Sequence, residues 1–237
     1  FVASKGCELM VADYNQIELR CIAHLAQDPG LIAAFTTGQD VHSATAARVF
    51  GVEESAVTHE QRSKAKMVSY GLAYGMEAFG LGQRLGIRTD EAATILDAYF
   101  AAFPSVQSYM DDTVAQAKSR GYTETLFGRR RRIPELDSSN FRIRQAGERQ
   151  AMNAAIQGLA ADIFKIALIR IDQALSDSAL ASRLVLQVHD EVLVESPLNE
   201  VEVVDALVLQ IMEQATKLDV PLAVNSAWGS TWAEAKS

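Results

Sequence analysis

Short apolar runs lie near both ends of the chain, and helical periodicity fills the region between them. The run ELMVAD at residues 8–13 predicts a strand, and the residues after it repeat at helical spacing. Further along, the runs LVLQV and EVLVES flank His189 and Asp190, which predicts a tight hairpin. A helix over residues 200–217 and a last strand, PLAVNSA, are predicted to follow.

The middle of the chain is predicted to be helical. Helices are expected at about residues 40–50, 58–75, 89–103, 104–120 and 138–175, with one short strand, TETLF, before the last of them. Thr58 and Gln61 have the spacing of a capping box, whereas Asp28-Pro29-Gly30 is expected to break the preceding helix. Gly158 is expected to bend its helix or to allow a close partner. This order predicts an α+β fold in which a helical insertion interrupts one sheet domain.

Charge is distributed unevenly along the chain. The 237 residues are 49% hydrophobic, which is enough for a buried core, and carry a net charge of −8. Residues 118–149, however, hold nine Lys and Arg against four acidic residues, a local charge of +5. Such an island can contact phosphates, although an ordinary solvated basic surface would have the same composition.

Several classes of protein are disfavoured by what the chain contains. No apolar stretch reaches the roughly 18 to 20 residues that a membrane span requires, so no membrane partner is expected. Cys7 and Cys21 are the two cysteines, and without zinc-like spacing they indicate buried thiols in a reducing cytoplasm. The chain begins at Phe1 rather than Met, so we expect it to be a piece of a longer protein.

Two distant parts of the chain deliver acidic residues at strand ends. Asp13 closes the first predicted strand, while Asp190 lies in the hairpin turn with Glu191 beside it. Mg²⁺ prefers oxygen ligands and commonly takes only one or two carboxylates, with phosphates and water as the remaining ligands. The pair therefore indicates a divalent-metal site, with ordinary capping or turn roles as the alternative.

A second pattern places Arg62, Lys66, Tyr70 and Tyr74 at intervals of four on one broad helix face. Cations followed by aromatic rings suit a nucleoside triphosphate, since the cations can bind phosphates and the rings can stack on base and sugar. The alternative is a solvent-exposed pair of cations with half-buried tyrosines. A phosphate-binding loop of the GxxxxGK type is absent from the sequence, which disfavours a P-loop enzyme.

Together these residues resemble the family A DNA polymerases, the bacterial DNA polymerase I family. DYNQIELR at residues 13–20, the segment 62–75 and LQVHDE resemble its polymerase motifs in the right order, and GYTETLFGRRRRIPEL and ERQAMNAAIQGLAAD also match. The resemblance covers essentially the whole chain. It implies a right-hand polymerase with a palm that contains an antiparallel sheet, here residues 1–39 and 135–237, and a helical fingers insertion at 40–134.

The resemblance also implies an activity. The family joins a nucleotide from dNTP to a primer 3′-OH on a DNA template, releases pyrophosphate, and uses two Mg²⁺ ions. By this resemblance Asp13 and Asp190 would bind both ions, with the backbone carbonyl of Tyr14 as an extra ligand. Glu191 would support the site, and Lys66 would both hold the triphosphate and protonate the departing pyrophosphate.

The remaining implied contacts are to nucleotide and DNA. Glu18 would crowd the 2′ position of the sugar, and Tyr74 would border the templating position. Substrate-binding positions of the family correspond to Glu18, His42, Arg62, Lys66, Tyr70 and Tyr74. DNA-binding positions correspond to Arg129, Arg149, Asn153, Gln157 and His189, several of which would test pair shape in the minor groove.

The chain departs from the family pattern in two positions and lacks part of the family's length. Asn15 stands where Ser is more frequent, and Tyr70 stands where many members have Phe, which predicts weak discrimination against dideoxynucleotides. The thumb, the start of the palm and the exonuclease domains would precede Phe1. We therefore expect the isolated chain to extend a primer little or not at all.

Three other functions agree with part of this pattern. A metal-dependent nuclease would use the same acids on water but leaves the helix stripe unexplained. A noncatalytic DNA-binding or scaffold remnant would not need intact Asp13, Asp190, Arg62 and Lys66, but the expected loss of the upstream domains keeps this alternative open for the chain. A single-subunit RNA polymerase has a related palm, but Glu18 as a sugar gate favours DNA.

Overall fold

The structure is a computed structural model, and it describes residues 1–236. The strands are β1 (Cys7–Tyr14), β2 (Tyr122–Glu124), β3 (Arg130–Arg132), β4 (Arg183–Val188), β5 (Glu191–Pro197) and β6 (Val224–Gly229). The helices are α1 (Ile17–Ala26), α2 (Pro29–Thr36), α3 (Val41–Phe50), α4 (His59–Ala73), α5 (Ala78–Leu85), α6 (Thr89–Ala102), α7 (Pro104–Arg120), α8 (Phe141–Asp177), α9 (Val201–Glu213) and α10 (Trp232–Ala235).

These elements pack into two compact units. One comprises residues 1–17 and the residues from 160 onward, and the other comprises residues 18–159. The first contains the larger sheet, whereas the second is mainly helical. The predicted palm and fingers boundaries, between residues 39 and 40 and between 134 and 135, divide the chain by function and stay a prediction.

The first unit is built on a four-stranded antiparallel sheet in the order β4-β5-β1-β6. β1 is a central strand, which explains its nearly continuous apolar sequence: Met10 and Ala12 are both fully buried. Its pairing with β5 and β6 sets Asp13 between Glu191 and Asn225. The sheet register therefore decides which polar groups surround Asp13.

The second unit contains α2 to α7 and the small β2–β3 hairpin. Thr58 and Gln61 form the predicted capping box at the start of α4, with both reciprocal hydrogen bonds present. α4 ends at Ala73, and Gly75 follows with a φ of +67°. A Cβ at Gly75 would lie 3.1 Å from the backbone oxygen of Arg149, so only glycine allows this close approach to α8.

Several predicted elements need correction. Asp28-Pro29-Gly30 ends α1 but also starts α2, because the Asp28 side chain caps the new helix and Pro29 occupies its first turn. The helix after the hairpin stops at Glu213 rather than at residue 217, and the last strand begins at Val224 rather than at 221. Three elements, α5, β3 and α10, were not predicted from the sequence. Within the described residues, no helix combines the length and apolarity needed to cross a membrane.

Candidate active site

The first group of candidate residues lies where β1 ends and where the β4–β5 hairpin turns. Val188 pairs with Glu191, so the predicted two-residue turn is present, and His189 takes a left-handed φ of +55° within it. The backbone N–H of Tyr14 donates to the backbone oxygen of Asp190 over 3.4 Å. The side chains of Asp13 and Asp190 are close enough that, in addition to burial, the charge of Asp190 and a proton shared between the two carboxyl groups raise the pKa of Asp13. The structure thus brings together two acids that are far apart in sequence.

The Asp13 carboxyl is in an environment that disfavours its negative charge. Burial, followed by the neighbouring charges of Asp190 and Glu191, raises its pKa to about 6. Its Oδ1 atom is buried and has no hydrogen-bond partner in the described part of the chain. A cation at this point would satisfy the free oxygen and offset the repulsion between carboxylates, so the donor set fits a divalent metal.

The residues suit a metal site in which the protein supplies only a few of the ligands. Within residues 1–236, no set of three or more His, Cys, Asp or Glu side chains is arranged to hold an ion. Two carboxylates leave most ligand positions to substrate and water, which is the usual arrangement for Mg²⁺. Next to Asp13 is a cavity of about 390 Å³, bordered also by Glu191, Asn225 and Lys236.

Glu191 is next to this pair, but its carboxylate is already engaged. The side chain is buried, Trp232 Nε1 donates to its Oε1 over 2.6 Å, and Lys236 Nζ is 2.7 Å from its Oε2. Both oxygens therefore have partners on or next to α10. This supports the supporting role expected for Glu191 and adds Trp232 and Lys236, which no motif in the sequence identified.

Tyr14 is fixed by its side chain. It is buried, its hydroxyl donates to the backbone oxygen of Met212 over 2.7 Å, and its ring packs edge-on against Phe164 at 6.2 Å. The backbone of residue 14 is thereby held next to the Asp13 carboxyl.

The second group of candidate residues is in the helical unit, along α4. Arg62 is half-buried and Lys66 is exposed, while Tyr70 is half-buried and Tyr74 is 47% exposed. Arg62 donates through Nε and Nη2 to Oδ2 of Asp40, at 3.0 and 2.6 Å. The stripe is therefore accessible to a ligand. Asp40 was predicted only to start a helix, and its contact with Arg62 was not predicted from the sequence.

His42 is next to this stripe. It is buried in the first turn of α3, and its ring centroid is 5.8 Å from that of Tyr70. Burial lowers its pKa to about 4, although the charge of Asp40 opposes the shift, while Lys66 and Arg62 add to it. His42 is therefore a neutral imidazole at pH 7, and it is close enough to Arg62 and Lys66 for their charges to lower its pKa.

Glu18 and Tyr74 meet at the other end of the stripe. The Tyr74 hydroxyl donates to Oε1 of Glu18 over 3.4 Å, and Glu18 lies in the first turn of α1. Two of the substrate-binding residues predicted from distant segments are therefore in direct contact.

Most of the predicted DNA-binding residues lie on or against α8. Arg149 Nη1 donates to Glu77 Oε1 over 3.0 Å, and Arg129 Nη2 donates to the backbone oxygen of Gly158 over 2.6 Å. Asn153 has a buried Oδ1 without a hydrogen-bond partner among residues 1–236. Tyr74, Glu77, Arg149 and Asn153 line a cleft of about 660 Å³ in this unit.

The other three DNA-binding candidates, Arg129, Gln157 and His189, do not line that cleft. Gln157 is half-buried on α8, two turns beyond Gln150, which does line the cleft. His189 is exposed and belongs to the sheet unit. Glu77, which binds both Arg149 and Gln145, is a further residue that the sequence did not single out.

Known proteins resemble this chain closely. DNA polymerase I of Mycobacterium bovis is 54% identical over 233 residues, which cover 98% of this chain and 26% of that protein. DNA polymerase I of Pseudomonas aeruginosa is 50% identical over 235 residues, covering 99% of this chain and 26% of that protein. This chain thus spans about a quarter of the length of the curated relatives it matches.

A solved structure supports the same relationship. The POL domain of Pol1 from M. smegmatis, in complex with DNA primer-template and dNTP, matches with a TM-score of 0.95 and 51% identity over all of this chain and 42% of that one. This match confirms the predicted polymerase fold with mixed helices and an antiparallel sheet. The family model described as DNA polymerase family A matches residues 1–234. The chain therefore belongs to DNA polymerase family A.

Proposed function

We propose that this chain provides the catalytic and nucleotide-binding residues of a DNA-directed DNA polymerase. The reaction joins a nucleotide from dNTP to a primer 3′-hydroxyl on a DNA template and releases pyrophosphate. Primer-template DNA and dNTP are the expected partners, and both accompany the related M. smegmatis domain. Because the relatives are about four times longer, the proposal concerns the full-length protein.

One observation carries the proposal: the carboxyl groups of Asp13 and Asp190, which are far apart in sequence, lie close enough together that, in addition to burial, Asp190 raises the pKa of Asp13. Like-charged groups come this close only where a proton or a cation offsets their repulsion. Asp13 also keeps a buried oxygen without a partner among residues 1–236. A site for divalent cations explains both features.

Asp13, Asp190 and the backbone carbonyl of Tyr14 would hold two Mg²⁺ ions. Bound there, the ions would supply Lewis acidity, which lowers the pKa of an attacking hydroxyl and stabilises charge on a leaving oxygen. Glu191 would not be a ligand, since Trp232 and Lys236 occupy its oxygens. Its role would be to add negative charge and to fix the end of β5.

The α4 stripe would bind the triphosphate. Arg62 offers a fork of N–H donors and Lys66 a mobile ammonium group, both suited to phosphate oxygens. His42, neutral at pH 7, would donate a hydrogen bond rather than contribute a charge. Lys66 would also be placed to give a proton to the departing pyrophosphate.

The rest of the stripe would select the nucleoside. Tyr70 would stack on the incoming nucleotide, and Tyr74 would border the templating position. The hydroxyl of Tyr74 contacts Glu18, which supports a shared role at the sugar. A ribonucleotide 2′-OH would crowd Glu18 or disturb this hydrogen bond.

The DNA would be contacted by the basic and polar residues on or near α8. Arg149, Asn153 and Gln157 would meet the primer terminus and the minor groove, together with His189. Arg129 would bind the duplex from the β2–β3 hairpin, where Arg130–Arg132 are all exposed. Phosphate contacts would give affinity without reading sequence.

Primer extension by the full-length protein tests the proposal. Asp13→Asn and Asp190→Asn should each slow single-nucleotide incorporation about a thousandfold or more, since metal stabilisation of the transition state is worth several kcal/mol. Asp172→Asn, on an exposed position of α8, is the control and should leave the rate unchanged. Normal extension by either active-site variant would refute the proposal, and DNA cleavage with Mg²⁺ but without dNTP would favour a nuclease.

A further inference from the structure

We infer that Asp40 is a positioning residue for Arg62, and that it fixes the guanidinium in the orientation in which it receives the triphosphate of a dNTP. The inference deepens the proposed function and rests on it. It follows from the way one carboxylate is shared between the start of α3 and the middle of α4.

The two oxygens of Asp40 have different partners. Oδ1 accepts from the backbone N–H groups of His42 and Ser43, at 2.9 and 3.0 Å, and so caps α3. Oδ2 accepts from Nε and Nη2 of Arg62, at 3.0 and 2.6 Å. Because the cap holds the carboxylate in one orientation, the two hydrogen bonds from Arg62 to Oδ2 also have a defined direction.

The geometry leaves Arg62 able to bind a ligand. A guanidinium has five N–H donors, and the contact with Asp40 uses Nε–H and one N–H of Nη2. Three N–H groups therefore remain for phosphate oxygens. Because the guanidinium is planar, holding one edge also fixes the plane of the others.

The magnitude of the interaction points to orientation rather than stability. The side chains of Arg62 and Asp40 are 38% and 42% exposed, and an ion pair this exposed contributes roughly 0 to 1 kcal/mol to folding. The cap is the stabilising part, and it needs only Oδ1. Because the contact of Oδ2 with Arg62 adds little to stability, its main effect would be to orient the guanidinium.

Asp40 also sets the place of a second proposed phosphate contact. His42 follows it by two residues, and its backbone N–H is one of the two donors to the cap. Arg62, Lys66 and Asp40 are all close enough to His42 to affect its pKa. One carboxylate therefore links the two helices that carry the proposed triphosphate ligands.

Asp40→Asn separates the two roles, because Asn caps helices about as well as Asp but carries no charge. In the full-length polymerase, the KM for dNTP in single-nucleotide primer extension should rise about five- to tenfold, the scale of one lost hydrogen-bonded contact. With its amide oxygen used for the cap, Asn places an amino group towards Arg62, and this group cannot accept from the guanidinium. The kcat should change by less than about twofold, because a positioned ground-state contact acts mainly on binding. Asp40→Ser, which also retains a capping oxygen, should behave alike.

Asp28→Asn is the matched control. Asp28 caps α2 through Oδ1 in the same way, with Gly30 and Leu31 as donors, and its Oδ2 has no hydrogen-bond partner within residues 1–236. A purely structural effect of losing a capping charge should appear in both variants. The KM of Asp28→Asn is expected to equal that of the parent.

A double-mutant cycle identifies the route. In an Arg62→Ala background, Asp40→Asn should have no further effect on KM, because Asn retains the cap of α3 and the contact with Arg62 has already been removed. If Arg62→Ala alone leaves KM unchanged, the proposed triphosphate contact fails. If Arg62→Ala raises KM but Asp40→Asn and Asp40→Ser match the control, or lower KM, the positioning role of Asp40 is wrong and the proposed function stands.

Discussion

At Asp13, the strand that brings the carboxyl to the site also buries it. β1 is central in its sheet, and Asp13 pairs with the acidic Glu191 of β5 on one side and with Asn225 of β6 on the other. The pKa of Asp13 is raised to about 6, first by burial and then by Asp190 and Glu191. The native state therefore holds this proton more tightly than the unfolded chain, where the ordinary value near 3.8 applies.

The sign of this shift gives a pH prediction. As pH rises from about 4 to 6, the metal-free native state is destabilised, because ionising Asp13 is harder in the fold than in the unfolded chain. In Asp190→Asn, the pKa of Asp13 should fall but stay above its ordinary value, since burial is the larger cause. Carboxyl carbon NMR titration without divalent metal would measure both values. An unchanged pKa in the variant would contradict the contact between the two side chains.

The hydroxyl group of Tyr70 is expected to affect discrimination against dideoxynucleotides. If its hydroxyl substitutes for the missing 3′-OH of a dideoxynucleotide, Tyr70→Phe should increase discrimination against such terminators about tenfold or more, as expected for one polar contact. Competition between dideoxy and deoxy substrates in the full-length polymerase measures the ratio. Tyr122→Phe, on β2, serves as a control. Equal ratios for Tyr70→Phe and the parent would remove the idea.

The residues that sequence could identify are those with a local pattern. Asp13 closes an apolar run, and Arg62 belongs to a four-residue repeat, so both were predictable. Asp40, Trp232 and Glu77 were not, because each acts through a contact with a residue 22 to 72 positions away. Only the packed fold determines such pairs.

At the scale of elements, local signals were read correctly where they were unambiguous. The capping box at α4 and the two-residue turn between β4 and β5 both formed as predicted. The helix α2 was missed because Asp-Pro-Gly is compatible with either a chain break or a capped helix start, and only the side-chain hydrogen bonds of Asp28 decide between them. β3 lies in a run of exposed arginines, which has no strand-like pattern.

Gly158 shows how α8 accommodates the β2–β3 hairpin. A Cβ at this position would be 2.6 Å from Cγ2 of Thr125, so Gly158→Ala should destabilise the protein by about 1 to 3 kcal/mol. Urea unfolding measures the change. Adding Thr125→Ser removes the clashing methyl but keeps the hydroxyl, and should restore most of the loss. A destabilisation that Thr125→Ser does not reduce would show that the clash is not its cause.

The short helix α10 gives a prediction about Glu191. Trp232→Phe removes the indole donor to a buried carboxylate, and Trp228→Phe is matched because its indole donates to Asp205 over 2.8 Å. Both should lower stability by about 1 to 3 kcal/mol. Only Trp232→Phe should weaken Mn²⁺ binding, about tenfold, as loss of a group supporting a metal site does. Equal Mn²⁺ affinity in the two variants would contradict a supporting role for Glu191.

At the scale of the whole chain, charge and connectivity agree with a polymerase. The net charge of −8 would repel DNA, but the +5 island at residues 118–149 includes the exposed strand Arg130–Arg132. The chain enters the sheet through β1, passes through the helical unit, and returns to the sheet as β4, β5 and β6. The predicted order of strands, helices and strands was thus correct, because periodicity alone separates them.

We propose that Asp13 and Asp190 together bind the cations used in catalysis. Anomalous diffraction from crystals of the full-length protein with primer-template, dNTP and Mn²⁺ tests it most directly. We expect anomalous peaks within about 2.0 to 2.3 Å of carboxylate oxygens of both Asp13 and Asp190, with Glu191 still bound to Trp232. Peaks that contact only one of the two aspartates, or that lie on Glu191 instead, would contradict it.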